Sequence, residues 1–322
     1  MKKTSVFIFF FILLVIFSFC SSQNQTSGNQ QISLPKKEEY IGEFFGIQVP
    51  KSNYNFVKAV IMIFGNHFGP QPQTEKELED AIWDQLLLSY EAYRRNIQVS
   101  QEELEKEITA TLKSEKVDFD WKQDKIAYGK WLKEKINVPI DFFENQLRHL
   151  IQLRKLRQAI MDEINPEVKE EEAYQEFLNE QNTLGIELVQ FDKREDAEDF
   201  YKKVRKNPKL WEQEKEKRPK DFKRPGFVAL EFLMEMWKLP KDVVYKMMQM
   251  KIGEIHSPAP IYRGYGVFKV LEQRPAELSR WPQQKDSYYE QIKMKKKYDG
   301  FKEWFENLKK QANIKIYSKD ES

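Results

Sequence analysis

Apolar residues recur every three or four positions over several long stretches of the chain, and this spacing predicts helices that bury one face. Leu78, Ile82 and Leu86 begin the first such stretch. The sequence Ser-Gln-Glu-Glu at Ser100 is a capping box, in which a serine and the glutamate three positions later each accept a hydrogen bond from the other's backbone N–H. It predicts a helix that begins there and continues through Leu112. The same periodicity predicts further helices over residues 141–160, 195–206, 239–250 and 284–312.

Shorter apolar runs between these stretches predict strands. Residues 56–64 are rich in β-branched side chains and end at Gly65-Asn66, which predicts a strand followed by a turn. Strands are likewise predicted over residues 184–191, 226–232, 265–271 and 314–317. Because strands and helices are mixed between residues 183 and 279, we expect a compact α+β unit there.

The first twenty residues have the order of a secretory signal peptide: two lysines, an apolar run over residues 6–17, and small residues that end at Cys20. Residues 1–20 are therefore predicted to be a signal, and residues 21–50 a flexible linker. We expect an exported, periplasmic protein. Cys20 stands where lipoproteins carry an acylated cysteine, although Phe19 replaces the small residue that is usual before it. Lipidation of Cys20, which would attach the protein to a membrane, and cleavage near Ser22 remain alternatives.

Composition excludes several classes of function. The 322 residues contain 53 lysines and arginines against 51 acids, and without the two leader lysines the charges balance, which argues against a nucleic-acid partner. Cys20 is the only cysteine, so the folded part has no disulfide and no thiol nucleophile. The sequence shows no Gly-rich phosphate loop and no metal-like spacing of His and Asp, so we predict no cofactor and no metal site.

Two segments carry a resemblance to a known family. Residues 239–255, LPKDVVYKMMQMKIGEI, resemble the helix and turn of parvulin-type (PpiC) peptidyl-prolyl isomerases, and residues 264–272, GYGVFKVLE, resemble the final strand of that family. The helices on either side are similar to the chaperone domain of the SurA and PrsA group. The resemblance implies an α+β fold. In it, residues 51–182 and 280–322 form a mostly helical SurA-like chaperone domain, and residues 183–279 form an inserted parvulin-like domain.

The residues that would catalyse isomerisation differ from those of active parvulins. The histidine of the first strand corresponds, within a residue, to Glu187, and the histidine of the last strand corresponds to Gly266. Arg263 stands in place of the aromatic residue before the Gly-Tyr pair. An unpaired Glu187 carboxylate in an apolar groove would be costly. The resemblance therefore implies a parvulin unit that is catalytically silent.

Other positions bear on substrate binding. Leu239 and Val243 correspond to the proline pocket of the family, and we add Met248 as a third predicted substrate contact. None of the three histidines obviously replaces the missing pair, and His256 is predicted to be exposed on a turn.

The resemblance implies an exported SurA-like chaperone that binds unfolded polypeptides, outer-membrane proteins among them, through apolar surfaces. Two alternatives stay open. One is a working peptidyl-prolyl isomerase in which Glu187 acts differently, and the other is a surface interaction protein that reuses the fold.

Overall fold

The computed structural model of the protein describes residues 39–66 and 69–317. Within them, eleven α-helices accompany two antiparallel sheets, which confirms the α+β class. The strands are β1 (Tyr40–Phe44), β2 (Ile47–Pro50), β3 (Thr183–Phe191), β4 (Phe222–Ala229), β5 (Ile255–Pro260), β6 (Tyr265–Arg274) and β7 (Lys315–Ile316). The helices are α1 (Lys51–Phe64), α2 (Glu75–Arg94), α3 (Gln101–Ser114), α4 (Lys125–Ile136), α5 (Ile140–Glu163), α6 (Glu170–Gln181), α7 (Arg194–Lys206), α8 (Lys209–Lys217), α9 (Leu230–Glu235), α10 (Lys241–Gln249) and α11 (Trp281–Ala312).

The small sheet joins the two ends of the described chain. Its strand order is β2-β1-β7, and Gly42 and Glu43 of β1 pair with Ile316 and Lys315 of β7. Beneath it, buried residues of β1, α1, α2, α5 and α11 form one apolar core. Residues separated by more than two hundred positions therefore pack together, because the amphipathic faces of α2 and α11 need a common partner to leave water.

A second apolar core lies between α3, α4 and α5. The start of α3 was predicted from the sequence. Ser100 Oγ accepts a hydrogen bond from Glu103 N at 3.1 Å, and Glu103 Oε2 accepts one from Ser100 N at 2.8 Å. The capping box is thus confirmed. Leu104, Ile108 and Leu112 are buried at the spacing of one helix face.

The larger sheet has the strand order β4-β3-β6-β5 and is covered by helices on both sides. Residues of β3 alternate between the two sides, as a strand requires. Leu184, Ile186 and Leu188 pack with residues of α9 and α10, and we call this side the groove face. Val189 and Phe191 pack with α7 and with Trp211 of α8, and we call this side the back face.

Helix α6 connects the helical part to this sheet. It packs on α11, where Phe177 and Tyr288 lie in one small apolar cluster. Directly after it, the carbonyl oxygen of Asn182 accepts a hydrogen bond from Leu230 N at 3.2 Å, and its side-chain oxygen accepts one from Ala276 N at 2.8 Å. Asn182 therefore holds three chain segments together where the sheet begins.

Two predicted elements are wrong, and the bounds of a third differ. Residues 56–64 lie in helix α1, because Val57 and Ile61, four positions apart and so on one helix face, reach the core beneath the small sheet. Part of the predicted linker, residues 40–50, forms β1 and β2, which β7 completes from the far end of the chain. The predicted strand over residues 226–232 ends at Ala229, after which α9 begins.

Several predictions lie outside the described residues: the signal over residues 1–20, most of the linker, and Cys20. In the part of the chain that the structure describes, no helix is long and apolar enough to cross a membrane.

Candidate functional site

The groove face carries most of the positions that the family resemblance singled out. Leu239 is buried there with only 3% of its surface exposed, and Val243 of α10 packs against the same cluster. Gly266 of β6 faces the same way, since a Cβ built on it would meet the side chains of Phe268 and Ile261. The structure therefore brings these three positions to one side of the sheet.

Glu187 does not join them. It lies on the back face, where its carboxylate accepts hydrogen bonds from Trp211 Nε1 at 2.6 Å and from Lys215 Nζ. Only 2% of Glu187 is exposed. The expectation of an unpaired carboxylate in the groove is wrong, because strand alternation turns Glu187 away and Ile186 toward the groove face.

Arg263 lies apart from the groove centre, whereas Met248 packs against the groove-face cluster from another side of α10 than Val243. Arg263 is on the turn between β5 and β6, where its guanidinium carbon lies 5.7 Å from the ring centroid of Tyr262 and its carbonyl oxygen accepts from Gln190 Nε2 at 2.6 Å. Met248 is five positions after Val243, so the two point about 140° apart around α10. It is half-buried on the side of Tyr245, whose hydroxyl donates to Asn179 Oδ1 of α6 at 2.8 Å.

The space beside Gly266 is filled by an aromatic pair. The Phe268 ring is fully buried, and a Cβ on Gly266 would lie 2.6 Å from its Cζ. Trp237 stacks on Phe268, with ring centroids 6.4 Å apart and an interplanar angle of 29°. A side chain at position 266 would find this volume occupied. Sequence reasoning missed both residues, although the spacing of Gly266 and Phe268 placed them on one face.

Next to the aromatic pair, apolar side chains reach the surface. We call Phe232, Met236, Trp237 and Tyr262 the rim patch. The rings of Phe232 and Trp237 are 6.3 Å apart, and Tyr262 N donates to the carbonyl oxygen of Trp237 at 2.8 Å. Met236 is 62% exposed and Tyr262 is 69% exposed. Large apolar side chains grouped at the surface are typical of a binding surface.

His256 is on the groove face rather than in solvent, so its predicted exposure is wrong. It pairs with Phe268 across β5 and β6 and is 5% exposed, because residues 255–260 form an edge strand that the sequence analysis did not predict. Its Nδ1 donates to the carbonyl oxygen of Ser257 at 2.6 Å. Its Nε2 is buried without a hydrogen-bond partner among the described residues.

This burial makes stability depend on pH. Burial lowers the pKa of His256 below its ordinary value of 6.5, with nearby Lys246 acting in the same direction. The unfolded chain then binds a proton at a higher pH than the folded chain, so stability present above about pH 6.5 is lost as the pH falls below it. We expect urea unfolding to show a smaller free energy at about pH 5.5 than at about pH 7, and His256→Gln to remove much of the difference. An equal decrease in both proteins would exclude His256 as its source.

The sequence matches no protein-family model and no curated protein. The fold is similar to solved structures at low identity. The peptidylprolyl isomerase PrsA from Bacillus anthracis aligns with a TM-score of 0.42 and 17% identity over 74% of this chain and 98% of that one. A SurA-like chaperone from Campylobacter jejuni aligns with a TM-score of 0.39 and 14% identity over 86% of this chain and 98% of that one. PrsA from Bacillus cereus aligns with a TM-score of 0.39 and 15% identity over 88% and 96%.

Proposed function

We propose that this protein is an exported chaperone that holds unfolded polypeptides through apolar surfaces and does not isomerise X-Pro bonds. The observation that carries the proposal is the combination of a filled pocket with an exposed rim: Phe268 and Trp237 occupy the volume beside Gly266, while Met236 and Tyr262 stay in solvent. Holding an unfolded chain needs broad apolar contact and no reactive group. Methionine suits this task because its flexible side chain adapts to varied partners.

Isomerisation would need features that the groove face lacks. Rotation about the X-Pro bond must overcome about 18–20 kcal/mol in the general case, so a catalyst must stabilise the twisted amide with fixed hydrogen-bond donors in an accessible cleft. Gly266 has no side chain to donate, and Ile186 is apolar. His256 shares the face, but its ring is buried and its Nδ1–H is already used by Ser257. We therefore propose that residues 183–279 act as a binding unit.

The predicted substrate contacts take different roles in this proposal. Val243 and Met248 are half-buried, so part of each side chain can contact a bound unfolded polypeptide, or client. Leu239 is buried and supports the rim patch from the core side. Clients would include outer-membrane proteins, which are rich in aromatic and apolar strands. A lipid on Cys20 would keep the chaperone at the membrane.

Replacing the rim patch is expected to weaken chaperone activity. The variant Phe232→Ser/Met236→Ser/Tyr262→Ser should reduce suppression of aggregation of a chemically unfolded protein at least about threefold, because it removes most of the exposed apolar area at this site. Ile252→Ser is the matched control, since Ile252 is 67% exposed in the same unit but lies on the turn before β5, whereas Tyr262 follows the other end of that strand.

Light scattering measures the suppression, and exchange spectroscopy on an Ala-Pro peptide measures isomerisation in the same samples. We expect suppression by the parent chain and the Ile252→Ser control, and no new exchange cross-peaks from either. Absence of suppression by the parent chain at several-fold molar excess would refute the holding function. New cross-peaks would refute the absence of isomerisation.

A further inference from the structure

A cavity of about 360 Å³ lies in the helical part, outside the groove face. It is bounded by one face of α2, by Phe305 of α11 and by the segment that contains Pro70 and Pro72. The lining residues of α2 are three or four positions apart and so share one face of that helix: Glu77, Asp80, Ala81, Asp84, Gln85 and Leu88. The cavity thus has three carboxylates on an apolar wall and, among the described residues that line it, no lysine or arginine.

Gln85 lines this cavity and carries an acceptor without a partner. The residue is 2% exposed, and its Nε2 lies 3.1 Å from His149 Nε2, to which it donates. Its Oε1 is buried and has no hydrogen-bond partner in the part of the chain that the structure describes. Because an amide oxygen can only accept, the group that satisfies it must be a donor. A ligand rich in N–H groups meets this requirement.

The carboxylates of Asp80 and Asp84 also have little positive charge near them. Lys309 Nζ lies 2.5 Å from Glu306 Oε1 but 3.7 Å from Asp84 Oδ2, so its closer partner is Glu306. Asp80 has no ion-pair partner within the described residues. Burial raises the pKa of Asp84, and the charges of Glu306 and Asp80 add to that effect. An additional positive charge beside Asp80 and Asp84 would relieve this repulsion.

We propose that this cavity binds a basic side chain, that of an arginine or a lysine, of a held polypeptide. The proposal rests on the holding function proposed above. The aliphatic stem would lie along Phe305, and the charged head would donate to Asp80 and Asp84 and, after Gln85 turns toward the cavity, to its Oε1. Long basic side chains bury their stems on apolar surface in this way. Charge-assisted bonds to carboxylates are the strong ones.

The helix dipole of α2 does not oppose such a ligand. The positive end of a helix disfavours cations only within its first turn. Asp84 and Gln85 lie about three turns into α2, and Glu75 and Glu77 occupy its first turn.

The test uses the mature chain and two short peptides that differ in one residue. One carries arginine between leucines, and the other carries citrulline, a neutral residue of nearly the same shape, at that position. We expect the arginine peptide to bind at least about tenfold more tightly in isothermal titration, and Asp84→Asn/Gln85→Leu to remove the difference. Asp299→Asn is the matched control, because Asp299 is exposed and pairs with Lys302 outside the cavity. Circular dichroism melts check that each variant is folded.

Equal binding of the two peptides, no binding of either, or an unchanged preference in Asp84→Asn/Gln85→Leu would overturn the cavity assignment. Aggregation suppression in the same proteins separates this result from the holding function. If the parent chain suppresses aggregation but shows no preference for arginine, the cavity proposal fails and the holding function stands. If the parent chain prefers arginine through these residues but suppresses nothing, the holding function fails and the site stands as a binding site for basic side chains.

Discussion

Replacing Gly266 with histidine, the residue that active parvulins carry at this position, is expected to lower the free energy of unfolding by about 2–3 kcal/mol. A Cβ at this position would lie 2.6 Å from Cζ and 2.7 Å from Cε2 of Phe268, closer than packed atoms tolerate. The Phe268 ring is fully buried and stacked on Trp237, so it has no free volume into which to move. Overpacking a close-packed interior typically costs about 1–3 kcal/mol, and the imidazole ring adds bulk beyond the Cβ.

A double-mutant cycle tests whether this loss of stability comes from the contact with Phe268. Phe268→Ala alone should cost about 3–5 kcal/mol, because it removes a buried aromatic ring and leaves a cavity. In Gly266→His/Phe268→Ala the new side chain can occupy the vacated volume. The loss should therefore be smaller than the sum of the two single losses by at least about 1 kcal/mol, as urea unfolding would show. Strictly additive losses would mean that Phe268 does not fill the space beside Gly266.

Removing Lys215 is expected to have the second large effect. Lys215→Ala should lower the free energy of unfolding by about 2–3 kcal/mol, because it leaves the Glu187 carboxylate buried on the back face with Trp211 Nε1 as its remaining hydrogen-bond donor. This expected cost is at or below the lower end of the range typical for breaking a buried ion pair, because Lys215 itself is partly exposed. The lysine nitrogen gives up little hydration, whereas the carboxylate gives up nearly all of it.

Three further variants separate charge burial from loss of a side chain. Glu187→Gln should cost about 1 kcal/mol or less, because its amide oxygen still accepts from Trp211 and no buried charge is left. Lys215→Ala/Glu187→Gln should recover at least about 1 kcal/mol relative to Lys215→Ala. Lys217→Ala on the same helix removes only a surface ion pair with Glu214 and should change stability by less than about 0.5 kcal/mol. Equal losses for Lys215→Ala and Lys217→Ala would contradict the buried-charge explanation.

Local signals predicted a large part of the fold. The capping box at Ser100 and the apolar periodicity of α5, α10 and α11 correspond to helices of the structure, and β6 and β7 lie where strands were predicted. These signals succeed because a helix cap or an amphipathic face depends on residues within a few positions of each other.

The same reasoning failed for a short apolar run, whose composition is compatible with either a strand or a helix. The β-branched composition of residues 56–64 favours a strand, and yet the segment is helical. Helical spacing places Val57 and Ile61 on one face, and that face packs into the core shared by α2, α5 and α11. Packing gains across a core exceed the small intrinsic preference of a few residues.

At the candidate site, the sequence by itself determined which side chains are available: no histidine at position 266, an acid at position 187, and aromatic and methionine residues nearby. Only the tertiary structure decided where they point. A shift of one residue moves a strand side chain to the opposite face, so Ile186 rather than Glu187 faces the groove. The partners of Glu187 are 24 and 28 positions away, and Phe305 reaches the cavity beside Gln85 from the far end of the chain. Contacts over such distances form only when the whole chain packs, because each becomes favourable only after other segments have excluded water from it.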